Sequence, residues 1–215
     1  MPRIVLGITG GIAAYKVPEL VRLFTKAGID TACVMTKEAR EFVTPLTLRT
    51  LSGNPVYEEM FFESKNPDAK VEHIGLAQNC DLIVIAPATA NIIGKIACGI
   101  ADDLLTTTVM ATDKKVLIAP AMNTKMWNNP IVMENVKKLE KLGYIFIGPK
   151  EGELACGDYG TGHIEDIDRI FDTAVSMLKV KKKTIPPSPR LRRTGPPSPG
   201  LRRTGKPKSG IKQLS

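Results

Sequence analysis

The stretch LACGDYGTGH (154–163) sets a thiol, Cys156, in a run of glycines with an aspartate and a tyrosine among them. An unreactive cysteine usually packs in a core as a small hydrophobe. A glycine-rich segment bends sharply or moves. Cys156 is therefore either a reagent or packing filler, and the rest of the chain has to decide which. A second candidate is His73, in VEHIGLAQNCD (71–81), one of only two histidines in the chain. Imidazole suits proton transfer near neutrality. A lone histidine is also a common packing residue, so the role of His73 depends on whether the fold brings it to the other loops.

Three further stretches could hold a ligand. GITGGIAAYK (7–16) joins an apolar run to a helical one. Its glycines let backbone N–H groups approach an anion, and the following helix N-terminus favours negative charge there. It is not G-x-G-x-x-G and lacks the downstream acid that holds a ribose, so a single-phosphate nucleotide such as flavin mononucleotide (FMN) fits better than a dinucleotide. The same residues would also make a tight turn with no ligand. APATANIIGK (86–95) offers Thr89 and Asn91, and APAMNTKMWNNP (119–130) offers Asn123 beside Trp127, the only tryptophan. Short polar side chains at these places either cap the next helix or hydrogen-bond a ring or a carboxylate.

These residues need a frame. RIVLGIT (3–9), DTACVMT (30–36), DLIVIAPAT (81–89), KKVLIAPAM (114–122) and YIFIGP (144–149) read as buried strands, with a short one near PVYEEMFF. Helical patterns fall over 13–28, 38–53 (restarted at Pro45), 73–80, 90–112 (broken near Gly99), 126–143 and 165–180. This alternation predicts an α/β fold, a Rossmann-like (flavodoxin-like) parallel sheet with helices on both faces. Ligands of such sheets bind at the carboxyl ends of the strands. TGG (9–11), PATAN (87–91), PAMN (120–123) and the glycine loop each follow a strand, so all four should meet on one edge.

The chain has 215 residues, 43% of them hydrophobic, enough for one domain with a real core. Its net charge of +8 is misleading until located. Residues 184–215 hold 8 of the 30 basic residues and no acid, leaving 22 basic against 22 acidic residues in 1–183. The body therefore carries no electrostatic footprint for nucleic acid. The tail, PPSPRLRRTG (186–195) followed by PPSPGLRRTG (196–205), has almost nothing to bury and is expected to be disordered beyond a domain spanning 1–183. No stretch reaches a membrane span. Cys33, Cys80, Cys98 and Cys156 have no C-x-x-C spacing, which leaves metal binding without support. Cys33 and Cys80 sit in or beside apolar runs as free thiols, suited to a reducing cytoplasm.

Over about residues 1–180, GITGGIAAYK, HIGLAQ, PATAN, PAMNTKMW and LACGDYGTG occur in unbroken order, and the chain resembles the flavin-dependent cysteine decarboxylases, most closely those acting on 4'-phosphopantothenoylcysteine. The resemblance implies FMN bound at subunit interfaces of an assembly built on trimers. It implies Gly10, Gly11, Ile12, Thr36, Phe42, Pro87, Ala88, Thr89, Ala90 and Ala121 around FMN, and Asn91, Asn123, Ala155 and Gly157 at the substrate. His73 would assist loss of the substrate thiol proton. Hydride transfer from the carbon bearing sulfur would give a thioaldehyde, CO2 would leave, and Cys156 would protonate carbon as the ene-thiolate is reduced. The product would be 4'-phosphopantetheine, on the way to coenzyme A.

The ligase domain of the family's bifunctional members is not in this sequence, so that step is expected either from another chain, a phosphopantothenoylcysteine synthetase, or from the rest of a longer protein of which this is a fragment. Two alternatives remain in the same company: a peptidyl-cysteine oxidative decarboxylase, which needs no final proton donor, and a non-catalytic flavin-binding regulatory subunit. The chain departs from the family in having PATANI for PASANT, and Gly162, His163 and Ile164 where G-x-G-R-M is usual.

Overall fold

The computed structural model describes residues 1–60, 72–153, 157 and 159–178. The expected disordered tail and its boundary at 183, together with Ala155 and Cys156, lie outside the described residues.

The chain opens with β1 (Arg3–Ile8), a 3-10 turn at Ile12–Lys16 and α1 (Val17–Lys26). β2 (Asp30–Met35) leads through a second 3-10 turn, Lys37–Glu41, to α2 (Pro45–Ser52) and the two-residue β3 (Val56–Tyr57). α3 (Glu72–Gln78) feeds β4 (Leu82–Ala88), then α4 (Ala90–Cys98) and α5 (Leu104–Met110). β5 (Val116–Pro120) is followed by α6 (Thr124–Trp127), α7 (Pro130–Lys141) and β6 (Ile145–Phe146). An antiparallel pair, β7 (Lys150–Glu153) and β8 (Tyr159–His163), precedes α8 (Ile167–Met177).

Six strands form one sheet in the order β3-β2-β1-β4-β5-β6, and every pairing in it is parallel. Leaving out the short β3, the order is the flavodoxin-like 2-1-3-4-5. Strand order reverses between β1 and β4, whose ladder runs from Ile4↔Leu82 to Gly7↔Ile85. Chain leaving these two strands diverges to opposite sides and opens a crevice above their carboxyl ends.

Alternation along each strand divides the core in two. Ile4, Leu6 and Ile8 face one layer with Val17, Leu20, Val21 and Phe24 of α1, Leu48 of α2 and Phe171 of α8. Val5, Ile83, Ile85 and Ile118 face the other, against Ile92, Ile93 and Ile96 of α4, Leu105 of α5 and Leu139 of α7. Phe24 and Phe171 meet with ring centroids 5.5 Å apart. Because both faces are covered, the strands read as continuous apolar runs, which made them visible in the sequence. Among the described residues, no helix is long and apolar enough to cross a membrane.

Three segments differ from the sequence expectation. The helix expected from residue 13 opens as the Ile12–Lys16 3-10 turn, with Pro18 in the first turn of the α-helix proper. The helix expected over 126–143 is two helices, because Asn129 accepts a hydrogen bond from the Ile131 N–H and Pro130 starts α7 afresh. The glycine loop is flanked by the β7–β8 hairpin, whose polar and glycine residues carry no apolar alternation to announce strands. The break near Gly99 appears where expected, with that residue at φ 70° closing α4.

Cys33 and Cys80 are buried free thiols and Cys98 an exposed one. Burial pushes the Cys33 thiol up to about 12. At pH 8 that leaves about one Cys33 in ten thousand as the reactive thiolate. Site-mapped alkylation of native protein at pH 8 will therefore label Cys98 and spare Cys33 until the chain is unfolded. Equal labelling of the two would refute the packing described.

Candidate active site

The site is built where β1 and β4 end. Thr9 follows β1 directly and is 1% exposed. Its hydroxyl donates to the Pro87 carbonyl at 2.7 Å and accepts from the Thr89 N–H at 3.1 Å. This fastens the Gly10–Gly11 turn to the PATAN segment. The β4–β5 register shifts between Ile85 and Ala88, re-aiming the chain just before that segment. Thr89 accepts from the Ile92 N–H and caps α4, while the Ala121 N–H donates to the Ala88 carbonyl at 3.0 Å. The β5 exit is thus held against the β4 exit by backbone.

The hairpin joins the same edge. The Met122 N–H donates to the Gly162 carbonyl at 3.0 Å. A Cβ on Gly162 would stand 2.1 Å from the Met122 oxygen, so only glycine allows this approach. A Cβ on Gly160 would likewise meet the Thr124 hydroxyl at 2.5 Å. Glycine here lets β8 lie flat on the PAMN exit and α6.

A cleft of about 260 Å³ opens between these exits. It is lined by Thr9, Gly10, Thr36, Glu38, Thr89, Asn91, Ile92, Asp103 and Met126. Gly10, Thr36, Thr89 and Asn91 were expected from the sequence. Thr36 is buried, and its hydroxyl has no hydrogen-bond partner among the described residues. A buried donor without a partner costs about 1–3 kcal/mol, and an acceptor of a bound ligand in this cleft would relieve it. Gly10 is closed to any side chain, since its Cβ would lie 2.3 Å from Glu38 Cβ. The turn therefore offers bare backbone next to the Thr36 hydroxyl, a donor set that fits a phosphate group.

The other expected residues are distributed around this cleft. Gly11 lies against the Thr89 methyl, which a Cβ would meet at 3.6 Å. Pro87, Ala88 and Ala121 are buried and do not line the cleft, and Ala90 begins α4. Ile12 and Phe42 are apolar yet 54% and 41% exposed. Asn123 caps α6 by accepting from the Lys125 N–H at 2.8 Å. Gly157 is exposed with φ 86°. His73 stands in the first turn of α3, half-buried, and its Nδ1 is buried without a partner among the described residues. It does not line the cleft of the single chain.

Five of the lining residues, Thr9, Glu38, Ile92, Asp103 and Met126, were not among the expected site residues. Thr9 looks like an ordinary strand end. Glu38 and Asp103 bring carboxylates, and Met126 an apolar wall. Only Asp103 had a visible signal, the D-x-x-T spacing of a capping box: its carboxylate accepts from the Thr106 N–H and the Thr106 hydroxyl binds back. Lys95 bridges Asp102 at 2.8 Å and Asp103 at 3.1 Å. Desolvation opposes its charge, but these two carboxylates outweigh it and hold Lys95 above the ordinary lysine value.

A sequence model described as Flavoprotein matches residues 1–179. The coenzyme A biosynthesis bifunctional protein CoaBC of Bacillus subtilis is 47% identical over 171 residues, 80% of this chain and 42% of that protein. The chain thus spans about two fifths of the bifunctional relatives it matches. A probable phosphopantothenoylcysteine decarboxylase of Streptococcus mutans is 44% identical, covering 79% of this chain and 94% of the relative. Among solved structures, a cysteine-to-serine mutant of PPC decarboxylase complexed with pantothenoylaminoethenethiol superposes with a TM-score of 0.75 at 35% identity, over 83% of this chain and 99% of that one. The FMN binding protein AtHal3 gives 0.73 at 35% identity, over 85% and 99%.

Replacing Thr9 by valine removes the clasp while keeping the shape, and strands the Pro87 carbonyl and Thr89 N–H. We expect Thr9→Val to lower the unfolding free energy by about 1–3 kcal/mol in urea titration. An unchanged midpoint would mean that the two exits hold together without it.

Proposed function

The chain belongs to the flavoprotein family, and on that premise we propose that it is an FMN-dependent decarboxylase that converts 4'-phosphopantothenoylcysteine to 4'-phosphopantetheine in coenzyme A biosynthesis. The observation that carries this reading is the bare Gly10 backbone beside the unpartnered, buried Thr36 hydroxyl, on the same cleft as Thr89 and Asn91. Similarity to decarboxylases and FMN proteins over nearly their whole length supports it.

Gly10, Gly11, Ile12 and Thr36 would hold the phosphate end of FMN, and Phe42, Pro87 to Ala90 and Ala121 its ribityl and ring portions. The chemistry supplied by bound FMN is reversible acceptance of a hydride from the carbon bearing sulfur, which creates a place for the electrons left by departing CO2. The rest belongs to the chain. Asn91 and Asn123 hydrogen-bond the substrate near its carboxylate and amide. His73 takes the thiol proton at an imidazole nitrogen. Ala155 and Gly157 lie beside Cys156 in sequence, between β7 and β8, and would pass over the substrate as this segment excludes water. The Cys156 thiol then gives its proton to carbon.

His73 does not line the cleft of its own chain, yet its buried Nδ1 lacks a partner among the described residues. An assembly built on trimers accounts for both, with the His73 of one protomer completing the cleft of a neighbour. The exposed apolar side chains of Ile12 and Phe42 suit burial in such a contact. The enzyme would work in the cytoplasm, where its free thiols are stable, on substrate delivered by a phosphopantothenoylcysteine synthetase.

Two variants test the division of labour by mass spectrometry of the products. His73→Asn should keep its flavin and lose CO2 release by about 10²–10⁴-fold; turnover at the wild-type rate would remove His73 from the mechanism. Cys156→Ser should still release CO2 but accumulate the oxidised ene-thiol. If that variant makes the fully reduced product normally, the proton comes from elsewhere.

A further inference from the structure

The proposed substrate carries two negative groups, and the cleft itself offers only acids among its charged side chains, Glu38 and Asp103. The turn at Gly10 and the Thr36 hydroxyl serve the cofactor phosphate in the reading above. A second phosphate needs a cation that is not already spent. Three half-buried lysines lie near the strand-exit edge. Lys95 is tied to Asp102 and Asp103, and Lys150 to Asp166. Lys16 alone of the three has no carboxylate within 4.0 Å among the described residues.

Lys16 is instead anchored by an imidazole. Its Nζ lies 3.1 Å from His163 Nε2. His163 Nδ1 lies 2.7 Å from the Ile164 carbonyl, which can only accept, so Nδ1 carries the hydrogen. A neutral Nε2 then accepts from the Lys16 ammonium. Among the described residues one of the three Lys16 donors is used in this way and two remain. The anchor is well placed. Lys16 ends the turn that begins beside Gly11, and His163 follows Gly162, the residue that binds the PAMN exit. The pair therefore bridges the cofactor turn and the hairpin that flanks Cys156.

We propose that Lys16, held in place by His163, is the seat of a phosphate monoester, and that the occupant is the terminal phosphate of the substrate. The proposal rests on the substrate reading above and adds the residue that tells a phosphorylated substrate from an unphosphorylated one. Lys16 binds the anion as a point charge. His163 is a positioning residue: it fixes an otherwise flexible ammonium without neutralising it, as a carboxylate would.

The test compares 4'-phosphopantothenoylcysteine with pantothenoylcysteine on the FMN-loaded enzyme, with flavin content read by absorbance. Wild type should prefer the phosphorylated substrate. Lys16→Gln should raise KM for that substrate about 10- to 100-fold, as expected for a lost charge-assisted hydrogen bond. It should leave KM for the unphosphorylated one, kcat and flavin content near wild type. Lys16→Arg should keep the preference, and His163→Ala should weaken it partly. Equal losses on both substrates would overturn the proposal, and so would loss of flavin from Lys16→Gln, which would give the seat to the cofactor phosphate. A misfolded Lys16→Gln leaves the decision to His163→Ala, whose unchanged preference would also overturn it. Wild type inactive on both compounds would defeat the decarboxylase reading itself, and this proposal with it; wild type equally active on both would defeat the phosphate seat alone.

Discussion

One buried hydroxyl fastens the chemical edge of this protein. Thr9 gives a hydrogen bond to the Pro87 carbonyl and takes one from the Thr89 N–H. Its partners lie on β4 and the PATAN segment, across the point where strand order reverses. At a switch point the chain leaving neighbouring strands diverges, so the crevice exists for topological reasons. The Thr9 clasp determines how closely its two sides approach. The backbone bond from Ala121 to Ala88 and that from Met122 to Gly162 continue the chain of attachments across the sheet to the hairpin. Four segments far apart in sequence are therefore held in one place by the main chain and one threonine.

Much of this was legible. Strands covered on both faces must be apolar throughout, so RIVLGIT, DLIVIAPAT and KKVLIAPAM declared themselves. Convergence of TGG, PATAN and PAMN followed from the rule that parallel strands share one exit edge. What stayed hidden depends on contacts across the sequence. Nothing in the spelling of Thr9 shows that its hydroxyl will be buried between two other segments. The β7–β8 hairpin is built from glycine and polar residues because it lies flat on α6 and the PAMN exit, and a hairpin held by backbone fit has no apolar alternation. The 126–143 helix read as continuous because its apolar spacing runs on, whereas Asn129 and Pro130 restart it.

The charges divide the edge by task. Carboxylates of Glu38 and Asp103 stand in the cleft, and that of Asp103 is fully engaged by Thr106 and Lys95. In the proposed function, a phosphate bound there would meet uncharged donors, backbone N–H groups and the Thr36 hydroxyl. Lys16 supplies positive charge outside the cleft, against the hairpin. Among the described residues three buried side-chain atoms have no partner, Thr36 Oγ1, Thr124 Oγ1 and His73 Nδ1; on the proposed reading a ligand would complete the first and a neighbouring protomer the last. Both positions are stable in the isolated chain only at a cost, which binding would recover.

The central claim is that this edge holds FMN. It is tested most directly by the visible absorption spectrum of the purified protein, before and after heat release of any bound chromophore, with chromatographic identification of what is released. The account predicts a flavin spectrum and release of FMN, not FAD, near one per chain. A colourless protein that stays colourless when FMN is added would contradict it, because the donor set at Gly10 and Thr36 would then serve some other purpose.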